Sequence, residues 1–262
     1  YASQKLIDFN SVTVFKGSFS SNTGLVLWNA ASVPELEKLE GGESGELDFS
    51  FFVKNLLPIE KFSDKNFTIL TQAKIDSPNV PLELMGMKIS GEHQLAIKIN
   101  SRLVLKMKGF YNDNLLPNSG PLPPRIGQKT TYTIYWQILN VNNDLDEVVV
   151  EAFLPPYVEW ENKVYQKNEE VKYESATGKI TWKIGKLSAA TGILLPAKTL
   201  TFQVGLKPTL SLLGQAPEIV KRPQILGQDT FTDEEISASA NALSSSLPDD
   251  PAVGLEKGKV IQ

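Results

Sequence analysis

His93 is the only histidine in 262 residues, and there is no cysteine. Zinc is held by histidine, cysteine and carboxylate side chains, usually about four of them. A Ser-His-Asp relay needs a histidine beside a nucleophile. His93 sits in I-S-G-E-H-Q-L, which reads as a hairpin tip, so it is expected to be a surface turn residue. Carboxylates are the remaining reactive groups. A glycosidase needs two that face each other. Glu151, Glu159, Glu161, Asp229 and Asp233 are available, mostly on polar faces or in turns, where water is the expected neighbour. No catalytic residue and no cofactor-binding residue is assigned, and an enzyme is not expected.

Calcium is the one metal these residue types suit, because it takes hard oxygen ligands. Asn140, Asn142, Asp144, Asp146 and Glu147 share one inter-strand loop; Asp229, Asp233, Glu234 and Glu235 share another. The candidate ligands are Asn142, Asp144, Asp146, Asp229 and Asp233. The spacing lacks the glycine and terminal glutamate of an EF-hand loop. Turn chemistry accounts for the same residues, since Asn and Asp side chains bond their own backbone.

Trp28 and Trp182 could stack on sugars, but each lies in a strand-like run and is expected in a core. Trp160, close to Tyr157, is the better candidate for exposure. Lys129 near a strand start could form a Lys–Asn isopeptide bond, although no sequence signal singles it out. Asn66-Phe67-Thr68 matches the glycosylation pattern, as chance often provides.

The elements that would carry these residues are strands. Apolar residues alternate with polar ones, the period of a half-buried strand. Tyr132, Ile134, Trp136 and Ile138 share one face of residues 129–140, and Leu200, Phe202, Val204 and Leu206 share one face further on. Residues 147–154, 179–184 and 236–242 behave alike, as do 47–53 and 67–75 in the first half. Residues 33–40 could form a short helical turn. Sixteen prolines and eighteen glycines punctuate the runs. Many short strands with frequent turns indicate a sandwich or barrel.

The chain also repeats itself. Residues 23–28 read T-G-L-V-L-W and residues 177–182 read T-G-K-I-T-W. Each is followed by a loop and an alternating strand, and a later strand (69–73, 236–240) closes each copy. Two copies of one β-module are therefore expected, a first over 1–106 and a complete second over 107–262. In the second copy, two strong strands precede the tryptophan; the first has no counterpart for them. Three explanations stand open: a fragment of a longer protein, strands supplied by a neighbouring chain, or a rearranged first domain. Open sheet edges make an incomplete sandwich unstable alone.

A net charge of −4 offers no basic field for nucleic acid or anionic membranes. No apolar run approaches the ~20 residues of a membrane helix. The second module resembles the conserved repeat domain of bacterial surface proteins, a family catalogued as a domain of unknown function. The residues that carry this are Leu122-Pro-Pro-Arg-Ile-Gly127, Thr130-x-Tyr132-x-Ile134 up to Asn140, Val148 to Pro155, Gly178-x-x-x-Trp182-x-Ile184-Gly185-x-Leu187 and Phe202-x-Val204. The first module matches from Trp28-Asn29 through Gly41–Gly45 to Phe49–Val53. The ending, with Leu247-Pro-Asp-Asp-Pro251, is similar to the C-terminal end of long surface proteins.

That resemblance implies two tandem immunoglobulin-like β-sandwiches, the first short of its N-terminal strands. It implies an extracellular, cell-surface location with the membrane anchor upstream, and no chemistry. The expected function is a non-catalytic structural or adhesive ectodomain. The rivals are a surface-layer or filament subunit completed by a neighbour's strands, and an accessory carbohydrate-binding module. The expected partners are other surface proteins, copies of itself, or glycans.

Overall fold

A computed structural model describes residues 5–77, 82 and 89–262; Tyr1 lies outside them. The protein is all-β, as the alternating runs require. It divides into two compact units, residues 1–58 with 67–99, and residues 59–66 with 100–262.

The second unit is a two-layer immunoglobulin-like sandwich. Its strands are β7 (Leu103–Phe110), β8 (Thr130–Asn140), β9 (Leu145–Phe153), β10 (Val158–Val164), β11 (Glu170–Glu174), β12 (Lys179–Leu187), β13 (Lys198–Leu206), β14 (Glu218–Val220), β15 (Gln224–Asp229), β16 (Glu235–Ser239) and β17 (Leu243–Ser244). One sheet has the order β10-β13-β8-β7 and the other β11-β12-β9-β15-β16. Residues 106 and 107 both lie inside β7, which pairs along β8 from Leu103↔Asn140 to Phe110↔Thr133.

The alternation becomes a core. Tyr132, Ile134, Trp136 and Ile138 are fully buried, and so are Leu200, Phe202, Val204 and Leu206. Trp136 of β8 stacks on Trp182 of β12 across the sandwich, centroids 6.5 Å apart, and Phe202 meets Trp136 edge-on at 5.0 Å. The opposite faces of β8 and β13 are covered as well, by the segment after β7. Asn118 donates to Thr133 Oγ1 (3.0 Å), the Thr133 hydroxyl donates to the Leu116 carbonyl (2.6 Å), and Gln203 donates to the Pro117 carbonyl (3.0 Å). Asp250 holds this segment to the chain's last turns by accepting the Tyr111 (2.8 Å) and Asn112 (3.1 Å) backbone N–H groups.

The first unit has six strands: β1 (Ile7–Val14), β2 (Ser18–Ser20), β3 (Leu25–Leu27), β4 (Phe49–Val53), β5 (Thr68–Asp76) and β6 (Ser90–Lys98). The helical turn expected in 33–40 is a 3-10 turn, Pro34–Leu36. The strands form three separate pairs, β1-β4, β2-β3 and β5-β6. His93 lies in mid-strand of β6 opposite Ala73, not at a hairpin tip, and is exposed.

The two units share local devices. The β2–β3 turn places Gly24 at φ 67°, with its N–H bonded to the Ser20 carbonyl at 2.8 Å. The β11–β12 turn does the same with Gly178 at φ 74° and the Glu174 carbonyl at 2.8 Å. Both need the left-handed conformation that glycine adopts without penalty. The β1–β4 and β10–β13 pairs share an irregularity: residues 9–12 stand opposite Phe51, and residues 161–163 stand opposite Gln203. Thus β1, β2, β3 and β4 correspond to β10, β11, β12 and β13, and the β5–β6 hairpin to β15–β16.

Candidate functional site

Most of the candidate oxygen ligands lie where the chain turns from one sheet to the other. Between β8 and β9, residues 141–144 make a corner that is largely buried. Backbone groups there are cut off from water and need partners inside the protein. Asn140 supplies one side of the answer. Its amide donates to the carbonyls of Asn143 (2.7 Å), Ser188 (3.0 Å) and Leu187 (3.3 Å). The Ser101 hydroxyl accepts the N–H groups of Asn142 (3.0 Å) and Asn143 (3.2 Å) and donates to Asn140 Oδ1 at 2.7 Å. The Asn142 carbonyl accepts the Asn66 N–H at 3.0 Å.

Asp229, fully buried at the end of β15, locks the corner from below. One carboxylate oxygen accepts the Ser101 N–H (2.7 Å) and the Asn143 side-chain amide (2.8 Å). The other accepts the N–H groups of Phe231 (3.0 Å) and Thr232 (3.2 Å). A carboxylate has about four acceptor positions, so its capacity is taken up by N–H donors.

Asp144 stands at the margin of this network. It accepts the Ala189 N–H at 2.8 Å and pairs with Lys65 at 2.6 Å. Burial alone would raise its pKa; the Ala189 N–H and Lys65 outweigh that and bring the carboxyl below its usual value. It lines an open cleft of about 570 Å³ with Phe62, Lys65, Asp146, Lys186 and Leu195. Asp146 caps the adjacent Glu147 N–H (2.8 Å), and Asp233 is exposed in the β15–β16 turn at φ 60°. The structure therefore brings Asn142, Asn143 and Asp229 into one network, with Asp144 beside it. Asp146 and Asp233 contribute no side chain to that network. Among the described residues no group of three or more His, Cys, Asp or Glu is gathered for a metal.

Sequence reasoning missed Ser101 and Asn143, although both sit close to residues it did name. Ser101 is far from the loop in sequence and had no motif to mark it. The other candidates settle into packing or ion pairs. Trp182 is fully buried and donates to Glu169 at 2.9 Å. Trp160 is half-buried, stacked on Tyr173 with centroids 5.7 Å apart and packed on Phe202 at 5.2 Å. Lys129 pairs with Glu161 at 2.8 Å and Glu159 at 3.4 Å, which together hold its pKa above the usual value.

No family model matches the chain, and no curated protein matches it. Among solved structures, it is similar to the full-length major pilin SpaD from Corynebacterium diphtheriae, at 14% identity and a TM-score of 0.36, over 91% of this chain and 60% of that one. It is also similar to a variant of BcpA, the major pilin subunit of Bacillus cereus, at 12% identity and a TM-score of 0.36, over 66% of this chain and 47% of that one. A further match is a GH20 exo-β-N-acetylglucosaminidase from Vibrio harveyi, at 13% identity and a TM-score of 0.30, over 55% of this chain and 18% of that one. The chain spans about half the length of the first of the pilins it matches. The sandwich described above rests on the chain's own strand registers and core.

Proposed function

We propose that this chain is a non-catalytic structural or adhesive part of a bacterial cell-surface protein, a rigid module strung in line with others. The observation that carries the reading is the path of the chain through the second unit. It enters at Leu103, opposite Asn140 at one end of β8. It leaves beside the other end. Ile261 bridges Arg125, its N–H bonds the Pro124 carbonyl at 2.9 Å, and the neighbouring Gly127 N–H bonds Pro208 just past the Leu206↔Thr130 pair. Entry and exit are thus separated by the length of β8, about 34 Å at the usual rise per residue. A module with its ends at opposite poles transmits tension along its strands and extends a tether.

The chemistry of the corner fits this role. Asn140, Ser101 and Asp229 spend their polar atoms on backbone groups. Other surface proteins and copies of the chain are the partners this reading favours, with glycans a secondary choice. The location it requires is extracellular, with the anchor elsewhere in the parent protein. Among the described residues no helix is long and apolar enough to cross a membrane. The resemblance of residues 122–206 to bacterial surface repeats supports the same reading.

Antibodies against the chain should label intact, unpermeabilised cells, and surface proteolysis should release it. Labelling only after permeabilisation would overturn the location. A hydrolytic activity abolished by changing one acidic residue would overturn the non-catalytic role.

A further inference from the structure

In the second unit one continuous stretch completes both sheets. Strand β8 covers the edge of β13, the chain turns the polar corner, and β9 fills the gap between β12 and β15. In the first unit the corresponding strands are β4, β3 and β5. Each is the last strand of a two-stranded sheet on that side, among the described residues. Removing one strand–corner–strand segment from the second unit would leave the same pattern: one sheet cut beyond β13, the other split between β12 and β15.

The side chains report the same gap. Phe202 and Val204 of β13 are 0% exposed. On β4, Phe49 is 44% and Val53 39% exposed. Trp182 is fully buried, whereas its counterpart Trp28 is only half-buried. Among the described residues the buried apolar side chains of the first unit are Leu6, Val33 and Ile69. Unpaired strand edges next to an open apolar face are a template for further strands.

We propose that the first unit is a receptor for a two-stranded β-segment that lies immediately N-terminal to β1 in the same polypeptide. Its first strand runs antiparallel to β4. Its second strand runs between β3 and β5, antiparallel to both, as β9 does between β12 and β15. Its inward residues are apolar and meet Phe49, Phe51, Val53, Val26 and Trp28. Its corner is rich in Asn, Asp or Ser, because a buried crossing needs side chains that bond its backbone. Continuity favours this occupant. In the second unit only residues 154–157 separate β9 from β10, so a comparably short link joins such a segment to β1. A second copy is a poor donor. Its β8 and β9 are paired on both edges, and withdrawing them would remove Tyr132, Trp136 and Val150 from the core. The inference is independent of the surface role proposed above.

The test is amide hydrogen exchange on two proteins: residues 1–262, and the same chain extended by the stretch its gene encodes ahead of Tyr1, as long as residues 128–157. Amides of β3, β4 and β5 should exchange fast in the shorter protein. In the extended protein they should slow by about 100-fold or more, with both proteins monomeric and the second unit unchanged. A synthetic peptide of the same stretch, added to residues 1–262, should produce part of the same slowing, which covers the case of an extended chain that does not express. Phe51→Lys in the extended protein should restore fast exchange in β4 alone. The proposal is overturned if β3, β4 and β5 are already protected in monomeric 1–262. It is equally overturned if protection comes only as residues 1–262 dimerise, or if neither extension nor peptide slows exchange.

Discussion

Phe49 and Phe202 occupy corresponding strands, β4 and β13, in two copies of one design, yet the first is 44% exposed and the second is sealed. The same holds for Trp28 and Trp182. Both copies build the glycine turn before the tryptophan and the irregularity in the strand pair. Only the second has the two strands that close its sheets. Local structure therefore survives without the long-range partners, while burial does not. A hairpin is set by its turn and its own ladder. A core needs every layer present, because an isolated strand pair cannot bury an apolar face by itself.

The largest expected difference between the units is in cooperativity. Amides of β8, β9, β12 and β13 should be protected to the level of global unfolding. Those of β3 and β4 should exchange at least about a thousandfold faster. Equal protection in both units would remove the contrast. Next in size, Trp136→Ala should cost roughly 3–5 kcal/mol, since it empties the centre of a packed core. Trp28→Ala should cost roughly 1 kcal/mol, because water already reaches that site. Denaturant midpoints of the two variants would check the pair, and similar costs would show that the first unit is better packed than its exposures indicate.

Asp229→Ala should destabilise the second unit by roughly 3 kcal/mol, by stranding the N–H donors of Ser101, Asn143, Phe231 and Thr232. Asp233→Ala, on the exposed turn two strands' ends away from any buried partner, should stay within about 0.5 kcal/mol. The smallest effect is electrostatic. Asp144 has a lowered pKa in the folded state, so its contribution is present above the ordinary carboxylate pKa and fades as pH falls through the folded value. Being largely exposed and paired with an exposed Lys65, it should contribute less than about 1 kcal/mol. In melts across the acid range, Lys65→Ala should lose part of this dependence, and salt should weaken it. Calcium added during the same melts should leave the midpoint unchanged; a rise would show that the corner or the cleft beside it holds a cation.

Much of the architecture was legible because period-two patterning reports which side of a strand is buried. Tyr132 to Ile138 and Leu200 to Leu206 carried that signal, and both became core. His93 was misplaced because its glycine neighbour Gly91 looked like a turn, whereas Gly91 is a paired strand residue opposite Ile75. The loop acids were legible as a cluster of oxygens but not as to purpose. Asn and Asp serve a metal, a turn or a buried backbone with the same atoms.

The sequence by itself determined the all-β class, the repeated module with its glycine turn and tryptophan, and the absence of histidine and cysteine chemistry. These follow from side-chain alternation and composition, which are local properties. Only the tertiary structure decided that Ser101, Asn143 and Asp229 meet at one corner, that the chain enters and leaves the second unit at opposite ends, and that β3, β4 and β5 stop at open edges. Those depend on which distant strands pair, and pairing is settled by the burial of whole faces, a property no single stretch of sequence carries.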